Sequence, residues 1–120
     1  MGSQWRFEQL EEELQRAHAR VLVAQTQEGF LGHAIAWLVA GELEIMTIAI
    51  APQQRRKGIG RALLADLLKL PHQRALLELR SENHHAHAFY TSFQFEVVGR
   101  RAAYYRNGDD ALLMERMNAH

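Results

Sequence analysis

The chain has 120 residues, no cysteine, and 14 acidic residues against 14 basic ones. That length suits one domain with one hydrophobic core, residues 1–120, and the balanced charge gives no reason to expect nucleic-acid or membrane binding. Without cysteine there are no disulfides, thiolate metal sites or cysteinyl acyl-enzymes, and no apolar run approaches the roughly 20 residues of a membrane span.

No signal-peptide pattern opens the sequence, so the expected location is cytoplasmic. Trp5, Phe7, Leu10, Leu14 and Ala17 recur at helical spacing, with Glu11, Glu12 and Glu13 between them. This predicts an amphipathic helix over 5–18. Arg20 to Thr26 reads as a strand, Gln27-Glu28-Gly29 as a hairpin turn, and Phe30 to Val39 as a second strand with Gly32 a candidate bulge. Ala40-Gly41 turns the chain again, and Glu42 to Ile50 forms a third strand, completing an antiparallel meander.

Pro52 breaks that strand into a turn, and a basic loop follows. A helix is expected from Lys57 to Leu70. Ile59, Leu63, Leu67 and Leu70 mark its buried stripe, Gly60, Leu64 and Leu68 widen it, and Pro71 ends it. Arg74 to Arg80 is a strand, parallel to the third because a helical crossover joins them. Ser81 or Asn83 can cap a second helix reaching about Phe93. Glu96–Tyr105 and Asp110–Met117 then form a hairpin around Asn107-Gly108, a type I′ turn signal. The expected fold class is α/β, a mixed α+β sheet with helices on both faces. Ligands on such sheets tend to bind at the carboxyl ends of parallel strands, here near Ile50 and Arg80.

Three groups of residues point to chemistry. Gly58 and Gly60 open the main chain at a strand–helix junction, and Arg55, Arg56, Lys57 and Arg61 surround them with charge. A helix N-terminus of this kind suits a phosphate or pyrophosphate, although a tight turn with a solvated basic face has the same sequence. The spacing is not a Walker loop, and Leu63 stands where a dinucleotide fingerprint needs its third glycine. Glu78 lies inside the apolar run Leu76–Leu79, where burial would make it a stronger base; a salt bridge or a water-facing edge is the alternative. Tyr90 shares a stripe with Ala86, Phe89 and Phe93, and is either a core tyrosine or a phenol aimed into the cleft as a proton donor. His84, His85 and His87 lack a fourth ligand at a convincing spacing, so no metal is expected.

Arg55-Arg56-Lys57-Gly58-Ile59-Gly60 fits the Q/R-x-x-G-x-G/A signature of the GNAT acetyltransferase superfamily. Leu77-Glu78-Leu79-Arg80-Ser81-Glu82-Asn83, Ala88-Phe89-Tyr90, Phe95, Val98-Gly99-Arg100-Arg101, Tyr104-Tyr105 and Asp110-Ala111-Leu112 resemble the RimI-type members, which acetylate the N-terminal alanine of a ribosomal protein. The resemblance covers about residues 20–117. It implies acetyl-CoA as co-substrate, with Arg56, Lys57, Gly58, Ile59, Gly60 and Arg61 holding the pyrophosphate. The backbone of Ile48, Ala49 and Ile50 would pair with the pantetheine arm, and Asn83 would contact the cofactor. It implies Glu78 as general base and Tyr90 as general acid, in direct transfer within a ternary complex to a protein or peptide N-terminus. A small-molecule amine as acceptor, or a shortened acetyl-CoA-binding module without catalysis, are the alternatives. Phe89 departs from the usual Leu and Gln94 from the usual Gly. The strand and helix that such enzymes carry ahead of the segment matching Trp5 are not found, so the strand at 20–26 is expected to be an exposed edge and a route to a homodimer.

Overall fold

Three strands form where the alternation predicts them: β1 (Ala19–Thr26), β2 (Gly29–Val39) and β3 (Glu42–Ile50). They belong to a computed structural model that describes residues 18–118; the helix expected over 5–18 lies, apart from His18, outside the described residues. The described chain divides into two compact units, one ending at His72 and one beginning at Gln73.

In the first unit β2 pairs antiparallel with β1 on one side and with β3 on the other. Ala40 (φ 52°) and Gly41 (φ 82°) both take positive φ, the requirement of the type I′ turn that joins β2 to β3. Two extra residues interrupt the ladders. Leu31 is skipped between the pairs Ala24–Gly32 and Gln25–Phe30, one place before the glycine that the sequence suggested. Met46 is skipped between Ala36–Ile45 and Ile35–Thr47, and its side chain is exposed. Gly32 is required for another reason: a Cβ there would lie 2.8 Å from the carbonyl oxygen of Ala49. Among the described residues no strand pairs with the second edge of β1, and Val23 on that strand is exposed.

After a short 3-10 turn at Pro52–Gln54, helix α1 runs over Ile59–Leu67, shorter at both ends than the expected 57–70. Gly58 takes a left-handed φ of 82° and so excludes Lys57 from the helix. At the other end Lys69 and Leu70 donate to carbonyls three residues back, tightening the last turn out of α geometry. Leu63, Leu64 and Leu67 are buried against β1, β2 and β3. At about 1.5–3 kcal/mol for each fully buried leucine, this packing holds a nine-residue helix that would not persist alone.

The second unit contains β4 (Arg74–Arg80), α2 (His84–Thr91), β5 (Glu96–Arg101) and β6 (Ala111–Met117). β6 pairs antiparallel with both β4 and β5, and Ala75, Leu77, Leu79, Phe95, Ala111 and Met114 are buried. Of the two candidate caps, Asn83 is the one used: its Oδ1 accepts the N–H of Ala86 at 3.1 Å. Ser81 instead donates its N–H to the carbonyl of Asp110. Past α2, Gln94 takes a left-handed φ of 66°, the conformation that its departure from glycine makes difficult. This turn lets the N–H of Phe95 reach the carbonyl of Tyr90 and buries the Phe95 ring.

The hairpin differs from its expected form. β5 stops at Arg101 rather than Tyr105, and residues 102–110 form a wide loop in which Asn107-Gly108 is only the tip. The cause is Asp110, whose carboxylate accepts the N–H of Ala103 at 2.8 Å and the Nε–H of Arg100 at 2.5 Å. Ala103 is drawn into a left-handed φ of 49°, which ends the extended run.

Candidate active site

In the first unit the 3-10 turn releases the chain into a basic loop. Arg56 (φ 66°) and Gly58 (φ 82°) both adopt left-handed backbone, and Arg55, Arg56, Lys57 and Arg61 are exposed. The N–H of Ala62 bonds the carbonyl of Gly58, so the N–H groups of Ile59 and Gly60 come before the first helical hydrogen bond. Gly58 offers no capping side chain, so those donors and the positive end of the helix dipole are left for a ligand. A Cβ at Gly58 would meet nothing within 4 Å, so glycine serves the backbone angle there rather than close packing. The residues fit a pyrophosphate: open N–H groups, a left-handed pair and four cations. Lys57 Nζ donates to Gln54 Oε1 at 3.3 Å. Ile48, Ala49 and Ile50 follow the Met46 bulge on β3 and pair with Ala34, His33 and Gly32.

In the second unit Glu78 is exposed, the second of the two readings that its place in the sequence left open. β4 buries Ala75, Leu77 and Leu79 on one face and opens the other, so Glu78 and Arg80 are exposed. Glu78 has the salt bridge that was its alternative reading: Arg101 Nη1 stands 3.8 Å from its Oε2. Arg101 also lies over the ring of Tyr104, 5.3 Å from the centroid, and Arg80 over that of Tyr105, at 5.1 Å. Burial, and then the negative charge of Glu78, push the Tyr105 phenol up, against the lowering pull of Arg80. Asp110 pins the start of the loop that carries both tyrosines. The N–H of Ala103, and then Arg100, hold its carboxyl below the usual aspartate range.

Tyr90 lies on α2, half-buried, its ring edge-on to Phe89 at 5.1 Å and to Phe95 at 5.5 Å. It is thus part of an aromatic cluster, as a core tyrosine would be. Burial also pushes its phenol up to about 12, which keeps the proton on the oxygen and makes the group a donor. Asn83 commits its carbonyl oxygen to the helix cap, leaving its amide nitrogen as the group for a ligand. His84 stands 3.7 Å from Glu82.

The structure therefore gathers the expected residues into two sets: Ile48–Ile50 with Arg56–Arg61 in the first unit, and Glu78, Asn83 and Tyr90 in the second. Reasoning from sequence assigned no role to Arg101 or Asp110. An acidic residue one place beyond an Asn-Gly-Asp tip, with arginines at the end of the preceding strand, is the signal that could have found them.

The sequence model of the acetyltransferase (GNAT) family matches residues 1–95. The chain belongs to that family, and its fold is the acyl-CoA N-acyltransferase fold. The crystal structure of the ribosomal-protein-S18-alanine N-acetyltransferase from Escherichia coli superposes with a TM-score of 0.81 at 28% identity, covering 94% of this chain and 77% of that one. The ribosomal protein bS18-alanine N-acetyltransferase of Escherichia coli K12 is 36% identical over 97 residues, 74% of this chain and 66% of that protein. An uncharacterised protein of Mycobacterium leprae is 36% identical over 118 residues, 93% of this chain. The chain spans 33% of that relative's length.

Proposed function

We propose that the chain is an acetyl-CoA-dependent N-acetyltransferase that acts on a protein N-terminal α-amine, an alanine of a ribosomal protein being the model acceptor. Residues 1–120 work as one catalytic domain in the cytoplasm. The observation that carries the reading is the presence in one unit of an exposed carboxylate, Glu78, and a phenol that burial keeps protonated, Tyr90. The similarity to bS18-alanine N-acetyltransferase supports the choice of acceptor.

The amine must be neutral to attack. An α-amine of pKa near 8 is about a tenth free at pH 7, whereas a lysine near 10.4 is free about once in 2,500. A modest carboxylate base therefore suits an α-amine. Glu78 takes the proton through a water, which its exposure admits. The Arg56–Arg61 loop holds the pyrophosphate and the backbone of Ile48–Ile50 aligns the pantetheine, with Asn83 as a further contact. Tyr90 donates to the departing sulfur. Outright transfer from a phenol near 12 to a thiolate near 8.5 is uphill by about 5 kcal/mol. Tyr90 therefore works chiefly as a hydrogen-bond donor in the transition state, and the thiol's proton is balanced by the one the new amide loses. With no cysteine in the chain, the acetyl group passes directly within a ternary complex.

The test is thiol release from acetyl-CoA with peptides that differ in their first residue, run beside small amines. Acetylation of an alanine-starting peptide at the α-amine is expected. Turnover of small amines alone would move the assignment to a small-molecule acceptor. Binding of acetyl-CoA without thiol release would leave a binding module. The edge of β1 that no strand among the described residues pairs with, with Val23 exposed, supports pairing with a second copy, and light scattering reads the resulting mass.

A further inference from the structure

Beside Glu78 lies a group of side chains that the reaction above does not use. The Arg101 guanidinium touches the Glu78 carboxylate at 3.8 Å and the face of Tyr104 at 5.3 Å. Tyr104 meets Tyr105 edge to face at 5.2 Å, and Tyr105 carries Arg80 at 5.1 Å. Carboxylate, guanidinium, two phenols and a second guanidinium thus form one chain of contacts joining β4, β5 and the loop 102–110. The ladder explains how Arg101 reaches across. Ala111 on β6 pairs with Arg101 on one side and Arg80 on the other. It is fully buried and short, so an arginine side chain can pass over β6.

We propose that Arg101 is a positioning residue, which sets the direction of the Glu78 carboxylate by tying it to the ring of Tyr104. The proposal rests on the reading of Glu78 as the base. At 3.8 Å the contact is an ion pair but not a hydrogen bond, so both carboxylate oxygens keep their lone pairs for a water or an amine. An exposed pair of this kind holds little by itself. The face of Tyr104 supplies a second contact, because a guanidinium held over a ring has given up part of its freedom before it meets the carboxylate. A lysine can carry the charge but has no planar fork with which to meet the ring and the carboxylate together.

The experiment measures kcat and KM for an alanine-starting peptide in Arg101→Gln and Arg101→Lys, in the wild-type background and in Glu78→Gln. Arg101→Gln should lower kcat about tenfold, with peptide KM and acetyl-CoA affinity within about twofold, and Arg101→Lys should recover less than half of the loss. In the Glu78→Gln background the same change should cost almost nothing, because Arg101 acts through that carboxylate. An unchanged kcat in Arg101→Gln, or an equal loss in both backgrounds, overturns the proposal. A second readout does not need turnover: the NMR order parameter of the Glu78 side chain should fall in Arg101→Gln and in Tyr104→Leu. If it is already low in the wild type, or does not move, the tie does not exist. If no peptide is acetylated but the order parameter falls as described, the tie stands and the reading of the acceptor fails.

Discussion

Replacing Gly32 by alanine tests the tightest backbone contact in the first unit. The new Cβ would sit 2.8 Å from the carbonyl oxygen of Ala49, 2.8 Å from Ile50 Cδ1 and 3.3 Å from Ile50 Cα. The Ile50 side chain can rotate away. The Ala49 carbonyl belongs to β3 and can move only with the strand. Overpacking of this kind costs about 1–3 kcal/mol, and the stiffer unfolded chain returns about 0.4–1 kcal/mol. A net loss of about 1–2 kcal/mol should lower Tm by roughly 4–8 °C. Ala49 and Ile50 lie in the segment assigned to the pantetheine arm, so acetyl-CoA should also bind several-fold more weakly. Urea denaturation and isothermal titration calorimetry measure the two effects. Gly99→Ala is the control: its Cβ would meet Leu113 Cδ1 at 3.0 Å, the far end of a flexible side chain, and should cost less than about 1 kcal/mol. A Gly32→Ala protein as stable as the wild type, or no worse than Gly99→Ala, would refute the argument.

Tyr90→Phe and Glu78→Gln should each lower kcat by about a hundredfold, within the range of general acid–base catalysis, while acetyl-CoA affinity stays nearly constant; full activity in both discards their assignment. Gln94→Gly should stabilise the protein by up to about 1 kcal/mol, since a left-handed residue with a Cβ is strained by about 1–2 kcal/mol and glycine gives back part of that as chain entropy; a loss in urea denaturation contradicts this. Asp110 has a depressed folded-state pKa, so its hold on Ala103 is complete above the ordinary aspartate value near 3.9 and is lost as pH falls through the folded value. Hydrogen exchange at the Ala103 N–H should accelerate, relative to the global rate, over that acid window in the wild type and be fast throughout in Asp110→Ala. Acetyl-CoA should bind more weakly as ionic strength rises, because exposed cations hold its pyrophosphate; an affinity indifferent to salt removes the Arg56–Arg61 loop from that role.

The strands and caps were legible because single residues announce them. Asn83 has one conformational use in its setting, and the run Arg74–Arg80 gives β4 residue for residue. The hairpin was not legible because its form is decided by a contact across seven residues, from the Asp110 carboxylate to the Ala103 N–H, which no local propensity reports. The burial that the apolar run offered Glu78 does not occur, for a related reason. Leu76-Leu77-Glu78-Leu79 looks apolar on both faces, but Leu76 is only half-buried and the face that carries it opens toward Glu78 and Arg80. The partner that explains a charge there, Arg101, comes from the far side of β6. The Gly-x-Gly loop was legible as a strand–helix junction, whereas the left-handed Arg56 beside it was not, since arginine carries no signal for that backbone.

The Met46 bulge makes β3 a strand with a change of phase. Leu43 and Ile45 point into the core before it, and Ile48, two places after the skipped residue is counted out, shares a face with the buried Ala34. Odd positions face inward on one side of Met46 and even positions on the other. Removing that single methionine would put Thr47 directly after Ile45 in plain alternation, so Leu43, Ile45 and Ile48 would keep their faces and partners and only the bend and added twist of the bulge would go.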